Sequence, residues 1–366
     1  MQKIIIKEKN GGKLLWGDFM NNDDFNNNNV NNLNKWNVRT DLAYDEVTRN
    51  KDYDMPDFFE SYEEIAKVPV YKNIIGTNAS KVLNKQKGTY YTLDLSKIDF
   101  HDATLCENVE SALSKVLIRL LINLNLKNKK CLLVGLGNIN VTPDALGPYV
   151  MDNVIVTRHL FKMGRISEGF SEVSAISPGV MGNTGIETFD IIKSINDNIK
   201  ADFLIVVDAL ASSSIARVNK TIQITDTGIS PGSGVGNRRK ELSISTMGVP
   251  VIAIGVPTVV DAVTITSDAI DLVVRYLSKE SSDKRKKESI ENHEPTEETK
   301  ELLMGQIGLL TDEEKKNLIK EVLTPNGYNM MVTPKEVDSD IEDLSKIIST
   351  SIDLALHHGL LIDRGE

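Results

Sequence analysis

The sequence predicts an α/β protein: a mostly parallel or mixed sheet with helices on both faces, plus a C-terminal helical segment. Three observations carry this. Between residues 131 and 278, apolar runs alternate with stretches whose apolar residues recur at helical spacing, and repeated alternation of that kind builds a sheet between helices. The run Phe203-Leu204-Ile205-Val206-Val207 is apolar throughout, as a parallel strand buried on both faces is. Glycine turns follow the apolar runs, at Gly135-Leu136-Gly137-Asn138 and at Pro178-Gly179-Val180-Met181-Gly182. Loops after strand ends are where ligands and chemistry sit in open α/β sheets.

The chain has 366 residues, of which 40% are hydrophobic and 26% charged, enough for a large core and two or three domains. A formal net charge of −10 argues against a broad electrostatic grip on nucleic acid. No apolar run approaches the ~20 residues of a membrane span. The N-terminal Ile4-Ile5-Ile6 is too short for a signal-peptide core. Cys106 and Cys131 form neither a disulfide framework nor a metal spacing. A cytoplasmic protein is the expectation, with no direct nucleic-acid partner and no membrane.

Nine of the fifteen residues 21–35 are Asn, too few apolar side chains to offset the entropy of ordering, so a mobile leader is expected there. Composition normalises at Asn37. A helix is expected over Phe58–Ala66 in an acid-rich stretch, and strands between Val68 and Leu95, notably Thr89–Leu95. Val109, Leu113, Val116, Leu117 and Leu120 predict a helix over Asn108–Leu124. The α/β core is placed at about 108–278. It opens with the Cys131–Val134 strand and a helix over roughly 144–162, and a helix follows from Gly185 to Ile195. Further strands are expected at 203–207, 221–224 and 249–255, then a helix from about Asp261 or Ser267 to Tyr276. Residues 279–300 hold six basic and seven acidic side chains, nearly balanced and without a core pattern, and read as a solvated linker. Residues 301–366 form a C-terminal helical part, with an amphipathic helix over Glu313–Leu323. A last helix carries Ile341, Leu344, Ile348, Ile352 and Leu356 on one stripe.

Two acids are the candidates for chemistry. Asp144 is the only ionisable side chain between Gly135 and Pro148. Thr142 suits an N-cap and Pro143 the first helical position, so Asp144 falls in a first turn, where the helix dipole favours a carboxylate with no function required. Asp208 closes the Phe203–Val207 strand and reads equally as a second helix cap. If both strands run the same way, their C-terminal ends share a rim, and Asp144 and Asp208 become a candidate acid/base pair. Pro231–Arg239 is glycine-rich with two arginines but fits no phosphate-loop fingerprint, and reads as a turn beside the cleft. Pro257–Asp261 is a further loop that can line it. Gly228-Ile229-Ser230-Pro231-Gly232 has the letters of a nucleophile elbow, but Pro231 has no N–H for the oxyanion. No histidines sit at a metal-ligand spacing with acids.

The chain resembles the germination proteases of endospore-forming bacteria, on the blocks VRTDLA (38–43), VGLGNINVTPDALGP (134–148), SAISPGVMGNTGIET (174–188), VVDALASSSIARVN (206–219), GISPGSGVGNRRKE (228–241) and GVPVIAIGVPTVVDAVTITSD (248–268). The blocks are long and in order, and the likeness runs from about residue 38 to the C-terminus. The Asn-rich leader is longer than the family's.

The resemblance implies an atypical aspartic endopeptidase that degrades small acid-soluble spore proteins in the spore core. It implies an inactive precursor whose propeptide, residues 1–41, is removed by self-cleavage between Asp41 and Leu42, leaving a peptidase of residues 42–366. The family's two catalytic aspartates match Asp144 and Asp208. A homotetramer and no established cofactor are implied as well, and a core like that of the hydrogenase-maturation proteases and phosphorylases. A metal-assisted peptidase, a nucleoside phosphorylase-like enzyme using Arg238 and Arg239, and a non-catalytic binding module are the alternatives.

Overall fold

The apolar runs become strands of one nine-stranded mixed sheet. The computed structural model describes residues 56–230, 240–281, 295–323 and 330–360, all within one compact unit, Asn37–Glu366. The strands are β1 (Phe58–Ile65), β2 (Val68–Ile75), β3 (Gly88–Asp94), β4 (Cys131–Gly135), β5 (Val173–Ile176), β6 (Phe203–Ser212), β7 (Thr221–Thr225), β8 (Val251–Asp261) and β9 (Met331–Val332). Their order is β1-β2-β3-β7-β8-β6-β4-β5, with β9 added beside β8. Neighbours from β5 through β4 and β6 to β8 are parallel. From β8 through β7, β3 and β2 to β1 they are antiparallel. The sheet therefore reaches well upstream of the expected 108–278 core.

Helices cover both faces, as the sequence predicts. On one face the Ala103–Asn123, Leu146–Asn153 and Val337–Leu356 helices pack on Leu133, Ile205, Val207 and Ile254. On the other the Thr188–Ile199 helix packs Phe189 and Ile192 against Leu132, Val134, Leu204 and Val206. The long 103–123 helix starts cleanly because the Asp102 carboxylate accepts the Thr104 and Leu105 N–H groups.

Several elements differ from expectation. Phe58–Ile65 is a strand, not a helix: it pairs along its whole length with β2. The hairpin turns on Ala66 and Lys67, both at positive φ, the backbone that two-residue hairpin turns require. Glu60 and Glu64 are exposed on this edge strand and Glu63 is half-buried, and helical propensity loses there to pairing. The expected 144–162 helix is broken into a 3₁₀ turn, Thr142–Asp144, and the helices Leu146–Asn153 and Arg158–Lys162. The residue before that turn, at the cap position, is Val141 rather than Thr142. The helix expected from Gly185 starts at Thr188. Helices Ala262–Ser281 and Glu297–Met304 take up both ends of the charged 279–300 stretch, whose middle lies outside the described residues. The leader and the Asp41–Leu42 bond also lie outside them. No helix among the described residues is long and apolar enough to cross a membrane.

Candidate active site

Strands β4 and β6 run parallel, with Gly135 opposite Val207. Leu136 N–H then donates to the Val207 carbonyl at 2.8 Å, the last tie before the chain leaves β4 for the glycine turn. Asp208 is the next residue on β6. It does not end the strand: β6 continues to Ser212, paired with β8 and with Asp208 opposite Gly255. Asp208 is thus a strand residue and caps no helix. It is 6% exposed, and its Oδ1 accepts the Ala209 N–H at 3.0 Å.

The Asp144 turn is folded back over the same rim. Asn138 N–H donates to the Asp144 carbonyl at 3.0 Å, and Asp144 N–H donates to Val141 at 2.8 Å. Gly137, at φ +115°, is what lets the turn close: a Cβ there would stand 1.9 Å from the Asp144 carbonyl oxygen and 3.2 Å from its Oδ1. The Asp144 carboxylate therefore lies against the glycine turn. Of the turn's N–H groups, those of Leu136 and Asn138 are engaged within the fold.

Gly147 ties the helix that follows Asp144 to the strand that carries Asp208. A Cβ on Gly147 would lie 2.2 Å from the Leu136 carbonyl oxygen and 2.7 Å from that of Val207. The helix that follows Asp144 thus begins in backbone contact with the residue that precedes Asp208. Thr258, on the neighbouring β8, donates its hydroxyl to the Pro143 carbonyl at 2.6 Å. The ends of β4, β6 and β8 converge on the 142–144 turn. From the second glycine turn, after β5, the Asn183 carboxamide reaches Asn138 Oδ1 at 3.5 Å.

The germination protease family model matches residues 38–365, nearly the whole chain. The chain belongs to the germination protease family.

Germination proteases of Bacillus mycoides (strain KBAB4) and of Bacillus thuringiensis subsp. konkukian (strain 97-27) are each 47% identical over 349 residues, covering 89% of this chain and 95% of the relative. That of Bacillus anthracis (strain A0248) is 47% identical over 350 residues, with the same coverage. A solved [NiFe] hydrogenase maturation protease HycI from Thermococcus kodakarensis KOD1 aligns at 18% identity and a TM-score of 0.24, covering 36% of this chain and 74% of that one.

By family this protein is a peptidase, and both acids expected to serve it stand on one rim. Other candidates fall away from that rim or out of view. The Pro231–Arg239 loop lies outside the described residues, and with it the last two residues of the elbow-like 228–232 motif. The base of that loop is closed by a bridge between Ile229 and Leu242. Pro257–Asp261 is not a loop but the last part of β8, and it stays at the rim through Thr258. His357 is buried in the C-terminal helix junction, where Ser171 N–H donates to its Nδ1 at 3.3 Å. Burial pushes the Cys131 thiol pKa up, away from thiolate chemistry. Among the described residues, no three His, Cys, Asp or Glu side chains gather as a metal set.

Gly147 serves the site and was not singled out from sequence; Thr258 lies in the Pro257–Asp261 segment expected to line the cleft, but its partner was not foreseen. Thr258 left a signal, a hydroxyl in an otherwise apolar run that needs a partner once buried. Gly147 had none beyond being a glycine near a helix start.

Proposed function

We propose that this chain is an atypical aspartic endopeptidase that cuts its own Asp41–Leu42 bond and then degrades small acid-soluble spore proteins in the germinating spore core. The observation that carries the reading is the Gly147 contact, which sets the helix following Asp144 against the residue preceding Asp208. One carboxylate, ionised, takes a proton from a water as the water attacks the scissile carbonyl. The other, kept protonated by its like-charged neighbour, gives its proton to the leaving amine. The pair ends the cycle with one proton, as it began. The Gly137 N–H, in the turn against which the Asp144 carboxylate lies, is the donor for the oxyanion.

Residues 1–41 act as a propeptide and 42–366 as the peptidase. Assembly as a homotetramer is supported by exposed apolar side chains on the helical layer, among them Leu272, Val273, Tyr276, Leu302 and Val322. Surface of that kind is usually covered by a partner.

The test is to leave purified full-length chain to process and read the new N-terminus. Leu42 is the expected residue. A different terminus, or none, overturns the proposed self-cleavage.

A further inference from the structure

Strand β8 carries one residue too many for its neighbour β6. Leu210 stands opposite Pro257 and Ala211 opposite Val259, so Thr258 has no counterpart. Such a β-bulge bends the strand locally and re-aims a side chain, and bulges recur beside active sites. Ile252, Ile254 and Val256 face the layer that holds Leu146 and Val150 of the helix after Asp144. Thr258 is next in that alternation, and its hydroxyl reaches the Pro143 carbonyl at 2.6 Å.

A bulge also releases main-chain groups from the ladder. Thr258 is 1% exposed, so groups released there need partners within the fold. The Asn219 N–H donates to the Pro257 carbonyl at 2.7 Å. The Thr333 hydroxyl donates to the Thr258 carbonyl at 2.8 Å. Thr333 is half-buried and directly follows β9. That short strand is tied to the end of β8: Val332 stands opposite Val260 and Met331 opposite Asp261, and the Met330 carbonyl accepts the Ala262 N–H at 2.9 Å. The C-terminal part of the chain thus arrives with a hydroxyl where the bulge leaves a carbonyl.

The bonds form a relay toward the candidate acid. Thr333 holds the Thr258 carbonyl, Thr258 holds the Pro143 carbonyl, and Pro143 is joined to Asp144. Fixing the carbonyl of a bulged residue fixes the direction of its Cα–Cβ bond, and so aims its hydroxyl. Valine would suit a strand end as well as threonine does, so the hydroxyl is what the bulge requires.

We propose that Thr333 is a positioning residue for the peptidase reaction: acting through the Thr258 bulge, it sets the 142–144 turn and with it the Asp144 backbone. It touches neither acid. The catalytic part rests on the reading of Asp144 above; the hold on the turn does not.

The test uses the full-length chain, with Thr333→Val removing the donor and Thr333→Ser keeping it, and circular dichroism confirming the fold of each. Amide hydrogen exchange, read by mass over peptides spanning 138–145, follows the N–H groups of Asn138, Asp144 and Ala145, which all bond within this loop. Thr333→Val is expected to speed their exchange about fivefold and to slow processing by a similar factor, while Thr333→Ser restores both. The double variant with Thr258→Val should process no more slowly than Thr258→Val alone, because one residue acts through the other. Unchanged exchange in Thr333→Val, a serine variant as impaired as the valine one, or additive slowing in the double variant overturns the proposal. Exchange needs no catalysis. Wild-type processing by Asp144→Asn would remove the catalytic reading and leave the exchange result standing. Faster exchange with wild-type processing, where Asp144→Asn is impaired, overturns the positioning role itself.

Discussion

Asn138 donates its backbone N–H to the Asp144 carbonyl at 3.0 Å, and this one bond makes the glycine turn and the acid after it a single closed loop. The acid is held through its main chain, over a glycine whose φ of +115° no other residue adopts comfortably. Changes to the backbone of this loop should therefore act on catalysis much as changes to the acid do.

The acids come first. Asp144→Asn and Asp208→Asn, made separately, keep shape and lose the ability to exchange a proton. Each is expected to slow processing by about 10²–10⁴-fold with little change in melting temperature. Gel analysis of the full-length chain over time measures it, and processing at the wild-type rate removes that residue from the mechanism.

Gly137 and Gly147 have no room for a methyl group. Gly147→Ala would place a Cβ 2.2 Å from the Leu136 carbonyl oxygen, and should destabilise the fold by about 1–3 kcal/mol as overpacking does. Gly137→Ala meets the Asp144 carbonyl at 1.9 Å and must open the loop. Loss of processing with the fold retained by circular dichroism is the expected result for Gly137→Ala.

Thr258→Val tests the clamp from β8. The swap keeps shape but leaves the Pro143 carbonyl without its 2.6 Å donor. A loss of about 1 kcal/mol in chemical denaturation is expected, together with slower processing as the 142–144 turn loosens. Unchanged stability would mean that solvent replaces the hydroxyl at no net cost.

A pH effect is built in far from the rim. Burial raises the Asp353 carboxyl from 3.8 to about 7, although it accepts the Ile155 N–H at 3.0 Å. A folded-state value above the unfolded one means the native state binds the proton more tightly, so the group's penalty is full above about pH 7. The penalty is relieved as pH falls from about 7 towards 4. Between pH 8 and 5.5 this amounts to about 2 kcal/mol of added stability. Burial lowers the nearby His357, a term of opposite direction at acidic pH, so the comparison must be between variants. Asp353→Asn should be more stable than wild type at pH 8, by a margin that shrinks at pH 5.5. A constant margin would show that Asp353 does not titrate in this range.

Much of this was legible in residue order. The Phe203–Val207 run and the Cys131–Val134 run announced buried parallel strands, because a strand covered on both faces must be apolar at every position. The glycine turn with one acid after it and the acid after the second run marked both candidate residues. Phe58–Ile65 was not legible. Its exposed glutamates favour a helix locally, and only pairing with β2 makes it a strand. What Thr258 and Gly147 contact was not legible for the same reason: their partners, Pro143 and Val207, are distant in sequence.

By itself the sequence determined which segments are buried, where the chain turns, and that Asp144 and Asp208 each follow an apolar run. Those are local properties, written in composition and periodicity. The tertiary structure alone decided that β4 and β6 are parallel neighbours, that Gly147 seats the helix after Asp144 against Val207, and that Thr92 and Asn73 share a face with Asp208. Strand register and backbone contact are relations between distant residues, and they exist only once the sheet has closed.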